Sequence, residues 1–124
     1  MSEKFTVLVL EDDEIAFKLI ETALYFLNVK VIHAETGKEG IELFKENNIN
    51  MILLDLNLPD MDGFELLKDF NNINANVPVV AQTAYAMNNE KQICLEMGCV
   101  DFLLKPLNIN KLHKVIDRFR KNTV

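Results

Sequence analysis

The spacing of apolar and polar positions changes repeatedly along the chain. Residues 5–10 form a short, mostly apolar run rich in β-branched side chains, which predicts a strand buried on both faces. From Asp13 the apolar positions recur with a helical period. One helical face would carry Ala16, Ile20, Ala23 and Leu27. The pattern therefore predicts a strand followed by an amphipathic helix.

The same alternation of strand and helix continues to the end of the chain. Further strands are predicted at residues 29–34, 51–54, 79–83 and 100–104. A helix is predicted after each of these strands. Three of these helices begin near Thr36, after Gly63 and after Asn108, which can cap the last helix, and the remaining one ends before Gly98. Strands buried on both faces, with helices between them, indicate one α/β domain over residues 1–124 with an open parallel sheet.

Composition narrows the possible functions. The chain is 49% hydrophobic with a net charge of -6, which is typical of a globular domain and disfavours a general nucleic-acid binder. The sequence shows no signal-peptide pattern and no apolar segment long enough to span a bilayer. Cys94 is expected to pack inward and Cys99 to be a buried or loop thiol, and neither is expected to bind metal. We therefore expect a cytoplasmic protein that neither binds nucleic acid directly nor inserts into a membrane.

Polar residues that directly follow the predicted strands are the candidates for chemistry, since open α/β sheets bind ligands beyond the carboxyl ends of their strands. These residues are Glu11, Asp12, Asp55, Asn57, Thr83 and Lys105. Several carboxylates gathered at one place need a counter-charge, which a hard divalent cation such as Mg²⁺ would supply. A lysine and a hydroxyl group suit a bound anion. The combination predicts a pocket for phosphoryl transfer.

Four segments, in this order, resemble the receiver domain of two-component response regulators. They are residues 7–14 (VLVLEDDE), 51–63 (MILLDLNLPDMDG), 79–84 (VVAQTA) and 98–106 (GCVDFLLKP). The resemblance spans essentially the whole chain. It implies a doubly wound, flavodoxin-like α/β fold in which five parallel strands have the order 2-1-3-4-5 and five helices cover two faces. It also implies a phosphoacceptor signalling switch.

The resemblance assigns roles to the acidic residues. Asp55 would be the phosphoacceptor, which takes a phosphoryl group from a phosphohistidine of a sensor histidine kinase or phosphotransfer protein. Asp12 would bind Mg²⁺ directly and Glu11 through a water molecule. Asp55 and the backbone carbonyl of Asn57 would complete the metal site.

The resemblance also assigns roles to residues of the last two strands. Thr83 would hydrogen-bond the phosphoryl oxygens, and Lys105 would pair with one of them. The peptide bond between Lys105 and Pro106 would be cis, which would help to direct the lysine inward. Phe102 matches the aromatic switch residue whose rotamer reports phosphorylation, although tyrosine is more frequent there. A downstream protein would bind the face formed by the fourth helix, the fifth strand and the fifth helix.

Two surface features carry hypotheses of their own. The ring of Tyr85, two residues beyond Thr83, is proposed to hinder water and so to lengthen the life of the acyl phosphate. Basic residues with helical spacing on the last helix are either a solvated face or part of the docking face. They are Lys111, Lys114, Arg118 and Lys121.

Three other functions compete with this interpretation. A small phosphohydrolase that forms an aspartyl phosphate would use Asp55 as its nucleophile, but such enzymes generally carry a second aspartate where this chain has Asn57. A flavodoxin-like electron carrier needs a hydroxyl- and glycine-rich loop after the first strand, where this chain has acidic residues at 11–14. A receiver that has lost phosphorylation would be a scaffold, against which Asp55, Thr83 and Lys105 argue.

Overall fold

A computed structural model describes residues 4–84 and 89–120. Within these ranges strands and helices alternate as the sequence predicts. The elements are β1 (Thr6–Leu10), α1 (Glu14–Tyr25), β2 (Lys30–Ala34), α2 (Gly37–Glu46), β3 (Met51–Asp55), α3 (Gly63–Ile73), β4 (Val79–Thr83), α4 (Glu90–Glu96), β5 (Asp101–Leu104) and α5 (Ile109–Arg120). Tyr85 and Lys121, which carried hypotheses above, lie outside the described residues.

The five strands form a single parallel sheet in the order β2-β1-β3-β4-β5, which confirms the predicted topology. The register places Leu10 beside Leu54 and Asp55 beside Gln82. Neighbouring strands of a parallel sheet point in-register side chains to the same face. Because all strands run in the same direction, the carboxyl ends of β1, β3, β4 and β5 lie next to one another at the same end of the sheet.

Side chains of the strands point alternately into two hydrophobic cores, one on each side of the sheet. On one side of the sheet, Leu8, Leu54 and Ala81 pack against buried residues of α2, α3 and α4. On the other side, Val80 and Leu103 pack against buried residues of α1 and α5. Burial on both faces explains why β1, β3 and β4 are largely apolar runs rather than alternating sequences.

The buried face of α1 differs from the predicted one. Phe17 and Leu24 occupy its centre together with Ile20 and Ala23, while Ala16 is only half-buried. Leu27 is also half-buried because α1 ends at Tyr25, so Leu27 lies beyond the helix. The helical spacing of apolar residues predicted the helix correctly. It did not decide which of two adjacent sets of apolar residues with this spacing faces the core.

Side-chain caps fix the starts of several helices. Asp13, Thr36 and Asp62 accept backbone N–H groups at the first turns of α1, α2 and α3, and Asn108 accepts from Lys111 N at 3.1 Å, as predicted for α5. Asp60 accepts from the backbone N–H groups of Gly37 and Lys38 at 2.8 and 3.1 Å. The hydrogen bond from Gly37, together with the one from Lys38, lowers the pKa of the Asp60 carboxyl.

Both cysteines are free and buried, as expected from the sequence. Burial raises the pKa of the Cys94 and Cys99 thiols, which are therefore poor nucleophiles. None of the helices in the described part of the chain is long and apolar enough to cross a membrane.

Candidate functional site

Acidic side chains lie side by side where the central strands end. Glu11 directly follows β1 and Asp55 ends β3, and both side chains are almost completely buried. Asp12 is the next residue after Glu11 but is exposed. The sheet register thus brings two carboxylates into the protein and leaves a third at the surface above them.

Lys105 reaches the two buried carboxylates from the end of β5. Its Nζ lies 2.6 Å from Glu11 Oε1 and 2.8 Å from Asp55 Oδ2. The peptide bond between Lys105 and Pro106 is cis. The ammonium group is therefore a shared counter-ion for two carboxylates that could not both remain ionised in this position without one.

The lysine and the carboxylates alter each other's ionisation. Burial raises the pKa of Glu11; the hydrogen bond from Lys105 opposes this effect, and the nearby Asp55 charge reinforces it. Burial alone would lower the pKa of Lys105, but hydrogen bonds and attraction to Asp55 and Glu11 outweigh it, so the pKa is raised. The lysine is thus held in its charged form at neutral pH.

The acidic group has the composition of a site for a hard cation. Glu11, Asp12 and Asp55 each offer a carboxylate oxygen, and these oxygens lie within 4.8 Å of one another. Oxygen ligands together with an exposed side are what Mg²⁺ prefers, because it keeps several of its waters. The residues present therefore fit this ion.

Asn57 connects the phosphoacceptor candidate to β4. Its backbone N–H donates to Asp55 Oδ1 at 2.9 Å, and its side-chain Oδ1 accepts from Thr83 Oγ1 at 2.7 Å. Thr83 is fully buried and ends β4. The structure therefore brings Thr83, Asn57 and Asp55 together, with the threonine hydroxyl directed to Asn57.

Phe102 lies on β5 opposite Ala81 and is 9% exposed. Its ring belongs to the core on the side of α2, α3 and α4. The candidate switch residue is thus in an inward rotamer in this structure, and its response to phosphorylation stays a prediction.

Two residues near the site were missed by sequence reasoning. His33 Nε2 lies 2.7 Å from the backbone oxygen of Glu11, to which its N–H donates, and its ring stacks on Phe17 at 3.5 Å. Gln82 is 1% exposed and lies beside Asp55 in the sheet register. A polar residue inside an apolar strand was the available signal for Gln82, while the contact of His33 needs the fold.

A mainly apolar cavity of about 510 Å³ opens beside the acidic group, between α1 and the segment that follows β5. Its lining includes the polar side chains of Lys105 and Gln82 and the apolar side chains of Ile15, Leu19 and Pro106. Ile15 is 81% exposed. An apolar surface therefore borders the candidate site.

Comparison with known proteins gives a family match over most of the chain. The family model described as "Response regulator receiver domain" matches residues 7–117. The sensor histidine kinase RcsC of Salmonella typhi is 32% identical over 124 residues, which cover 97% of this chain and 13% of RcsC. The chain spans between 13% and 27% of the length of RcsC and other long relatives that it matches.

Solved structures show the same similarity. The receiver domain of the Francisella response regulator 1452 superposes with a TM-score of 0.88 at 32% identity, covering 96% of this chain and 98% of that one. The receiver domain of Ssk1 from Saccharomyces cerevisiae, solved in complex with the histidine phosphotransfer protein Ypd1, gives a TM-score of 0.83 at 31% identity, covering 94% of this chain and 88% of that one.

Proposed function

This chain belongs to the response regulator receiver domain family of two-component systems, and we propose on that basis that Asp55 is its phosphoacceptor. One observation carries the assignment. Lys105 Nζ lies 2.8 Å from Asp55 Oδ2 at the carboxyl edge of the sheet, and Glu11 and Asp12 are in the same cluster. A carboxylate, a fixed cation and an acidic group for a divalent cation are the parts that phosphoryl transfer needs.

The proposed reaction moves a phosphoryl group from a phosphohistidine to the Asp55 carboxylate. A carboxylate oxygen attacks the phosphorus in line, the P–N bond breaks, and its electron pair returns to the imidazole nitrogen, which takes a proton from solvent. Asp55 becomes an acyl phosphate. Lys105 pairs with a phosphoryl oxygen, and Thr83 donates its hydroxyl hydrogen to another after leaving Asn57.

We propose that Glu11, Asp12 and Asp55 hold Mg²⁺, together with the backbone carbonyl of Asn57. Bound Mg²⁺ would neutralise negative charge that develops on the phosphoryl oxygens. The spacing of the three carboxylates and their oxygen chemistry support this assignment. Asp12, as the exposed member, gives the cation access from solvent.

The proposed phosphodonor is a sensor histidine kinase or a histidine phosphotransfer protein. The relatives support this, since RcsC is itself a sensor histidine kinase and the Ssk1 receiver was solved with a phosphotransfer protein. The apolar surface formed by Ile15, Leu19 and Pro106 borders the Asp55 site. We place the donor on this surface, because a protein that delivers a phosphohistidine to Asp55 must contact its surroundings.

We propose that the output is read on the face formed by α4, β5 and α5. Leu95 and Leu104 are large apolar residues exposed there, and Lys111 and Lys114 on α5 are also exposed. Phe102 lies on β5 within this face. A rotamer change there, following a movement of Thr83, would alter the surface offered to a downstream protein in the cytoplasm, without direct binding to nucleic acid.

Acetyl phosphate and Mg²⁺ test the assignment directly. Intact mass spectrometry should show one added phosphoryl group, which disappears in Asp55→Asn and after chelation of the metal. Asp69→Asn on α3 is the matched control and should label like the parent. Labelling that persists in Asp55→Asn would refute the site. Continuous release of phosphate from unrelated esters would favour the small phosphohydrolase instead.

A further inference from the structure

The side-chain amide of Gln82 is buried without a hydrogen-bond partner in the part of the chain that the structure describes. Neither Oε1 nor Nε2 has a partner, and the residue is 1% exposed. Leaving buried polar groups unsatisfied is costly, so an apolar residue would stabilise this arrangement better. The amide therefore destabilises the structure in its present form.

Gln82 lies directly beneath the path of the Lys105 side chain. Lys105 follows β5, whereas its partners Asp55 and Glu11 belong to β3 and β1. Because β4 lies between β5 and β3, the lysine must cross the end of β4 to reach them. On that face the last residue of β4 is Gln82, which is in register with Asp55, and both Gln82 and Lys105 line the same cavity.

A group bound at the acidic cluster would change the surroundings of the Lys105 ammonium group. A divalent cation held by Glu11, Asp12 and Asp55 would share two carboxylates with Lys105, whose Nζ lies 2.6 Å from Glu11 Oε1 and 2.8 Å from Asp55 Oδ2, and would repel it. Phosphorylation of Asp55 would also remove a full carboxylate. The ammonium group has three N–H donors and needs new acceptors in either case.

We propose that Gln82 is a positioning residue for Lys105 in the phosphorylated state. When Lys105 turns from the carboxylates to a phosphoryl oxygen, Gln82 Oε1 accepts a further N–H from its Nζ and holds the lysine against the phosphoryl group. The amide that is unsatisfied in the resting state then gains its partner, so Gln82 biases the domain toward phosphorylation. This inference rests on the proposed role of Asp55.

Gln82→Met tests the inference, because methionine keeps the length of the side chain and removes its hydrogen bonding. Two quantities are measured on the full chain: urea unfolding in metal-free buffer, and calorimetric titration with beryllofluoride, a phosphoryl analogue, in Mg²⁺. We expect the unfolding equilibrium constant to fall roughly tenfold and the affinity for beryllofluoride to weaken about tenfold. Gln92→Met on exposed α4 is the matched control and should change neither quantity.

The outcomes separate this inference from the proposed function. If the parent protein neither binds beryllofluoride nor accepts phosphate, the assignment of Asp55 fails before any variant is compared. If the parent binds and Gln82→Met is more stable with unchanged affinity, Gln82 is a tolerated buried amide and the inference is wrong. Lower stability in the variant would mean that the amide is not a net cost in the resting state, which also overturns the inference. Gln82→Leu repeats both measurements if the methionine variant does not fold.

Discussion

Lys105→Met tests whether the two buried carboxylates depend on the lysine for charge balance. Methionine retains an apolar stem of similar length but lacks the ammonium group, which lies 2.6 Å from Glu11 Oε1 and 2.8 Å from Asp55 Oδ2. Two like charges then remain in a place where the Glu11 side chain is fully buried. The variant should therefore unfold more easily at neutral pH.

The size of this effect follows from the geometry. Two charges at most 4.8 Å apart repel by at least about 3.5 kcal/mol at an effective dielectric constant of about 20. Removing one partner of a buried ion pair costs roughly 3–5 kcal/mol. We expect the unfolding free energy of Lys105→Met to fall by about 3–4 kcal/mol at neutral pH without metal.

The loss should depend on pH, because Glu11 can relieve the repulsion by taking a proton. Burial already raises the pKa of Glu11 above its ordinary value of 4.5, and removal of the lysine raises it further. Between 4.5 and that raised value, the folded state binds a proton that the unfolded state does not. The variant therefore regains stability as the pH falls through this window.

Urea unfolding at about pH 7.5 and pH 5, with and without Mg²⁺, measures these effects. The difference between parent and variant should shrink at the lower pH, and also when Mg²⁺ supplies the missing positive charge. Lys18→Met is the control, since this exposed lysine pairs only with Glu21 among described residues and such pairs contribute about 1 kcal/mol at most. An equal loss in all four conditions would mean that packing, not charge, is what Lys105 supplies.

Two further predictions concern the donor surface and the loop after β3. Ile15→Glu should slow phosphotransfer from a phosphohistidine protein at least about fivefold but leave labelling by acetyl phosphate unchanged. Ile73→Glu, at an exposed position on α3, is the control and should slow neither reaction. Slower labelling of Ile15→Glu by acetyl phosphate would contradict a docking role. Gly63→Ala should lower the unfolding free energy by roughly 1–3 kcal/mol because its Cβ would lie 2.6 Å from Leu56 Cα. Urea unfolding should show a smaller loss for Gly40→Ala, whose Cβ would meet side-chain atoms of Leu10 rather than backbone.

The fold was predictable because strand and helix leave different periods in the sequence. The apolar run at residues 51–54 has no polar alternation, and this feature alone indicates burial on both faces. Helix caps such as Asn108 were predictable because the side-chain oxygen accepts a hydrogen bond from a backbone N–H only three residues further along the chain. The strand order itself came from resemblance to receiver domains, since periodicity does not state which strands are neighbours.

The candidate site was predictable only in part. Its acidic and basic members follow strands, so the general rule for open sheets collected Glu11, Asp55 and Lys105. That the Gln82 amide lacks hydrogen-bond partners was not predictable, because the atoms that surround it come from other strands and not from its neighbours in sequence. The hydrogen bond of Thr83 to Asn57 was missed for the same reason.

The two hydrogen bonds accepted by Asp60 connect the loop after β3 to a helix that is far from it in sequence. Asp60 follows the phosphoacceptor candidate by a few residues, yet it closes the first turn of α2 through Gly37 and Lys38. A displacement of this loop should therefore shift the start of α2, which packs on β1 and β2 at the opposite end of the sheet from β5. The backbone amides of Gly37 and Lys38 should therefore respond to changes at Asp55. They lie away from the face formed by α4, β5 and α5, so a probe placed on them would leave that face unaltered.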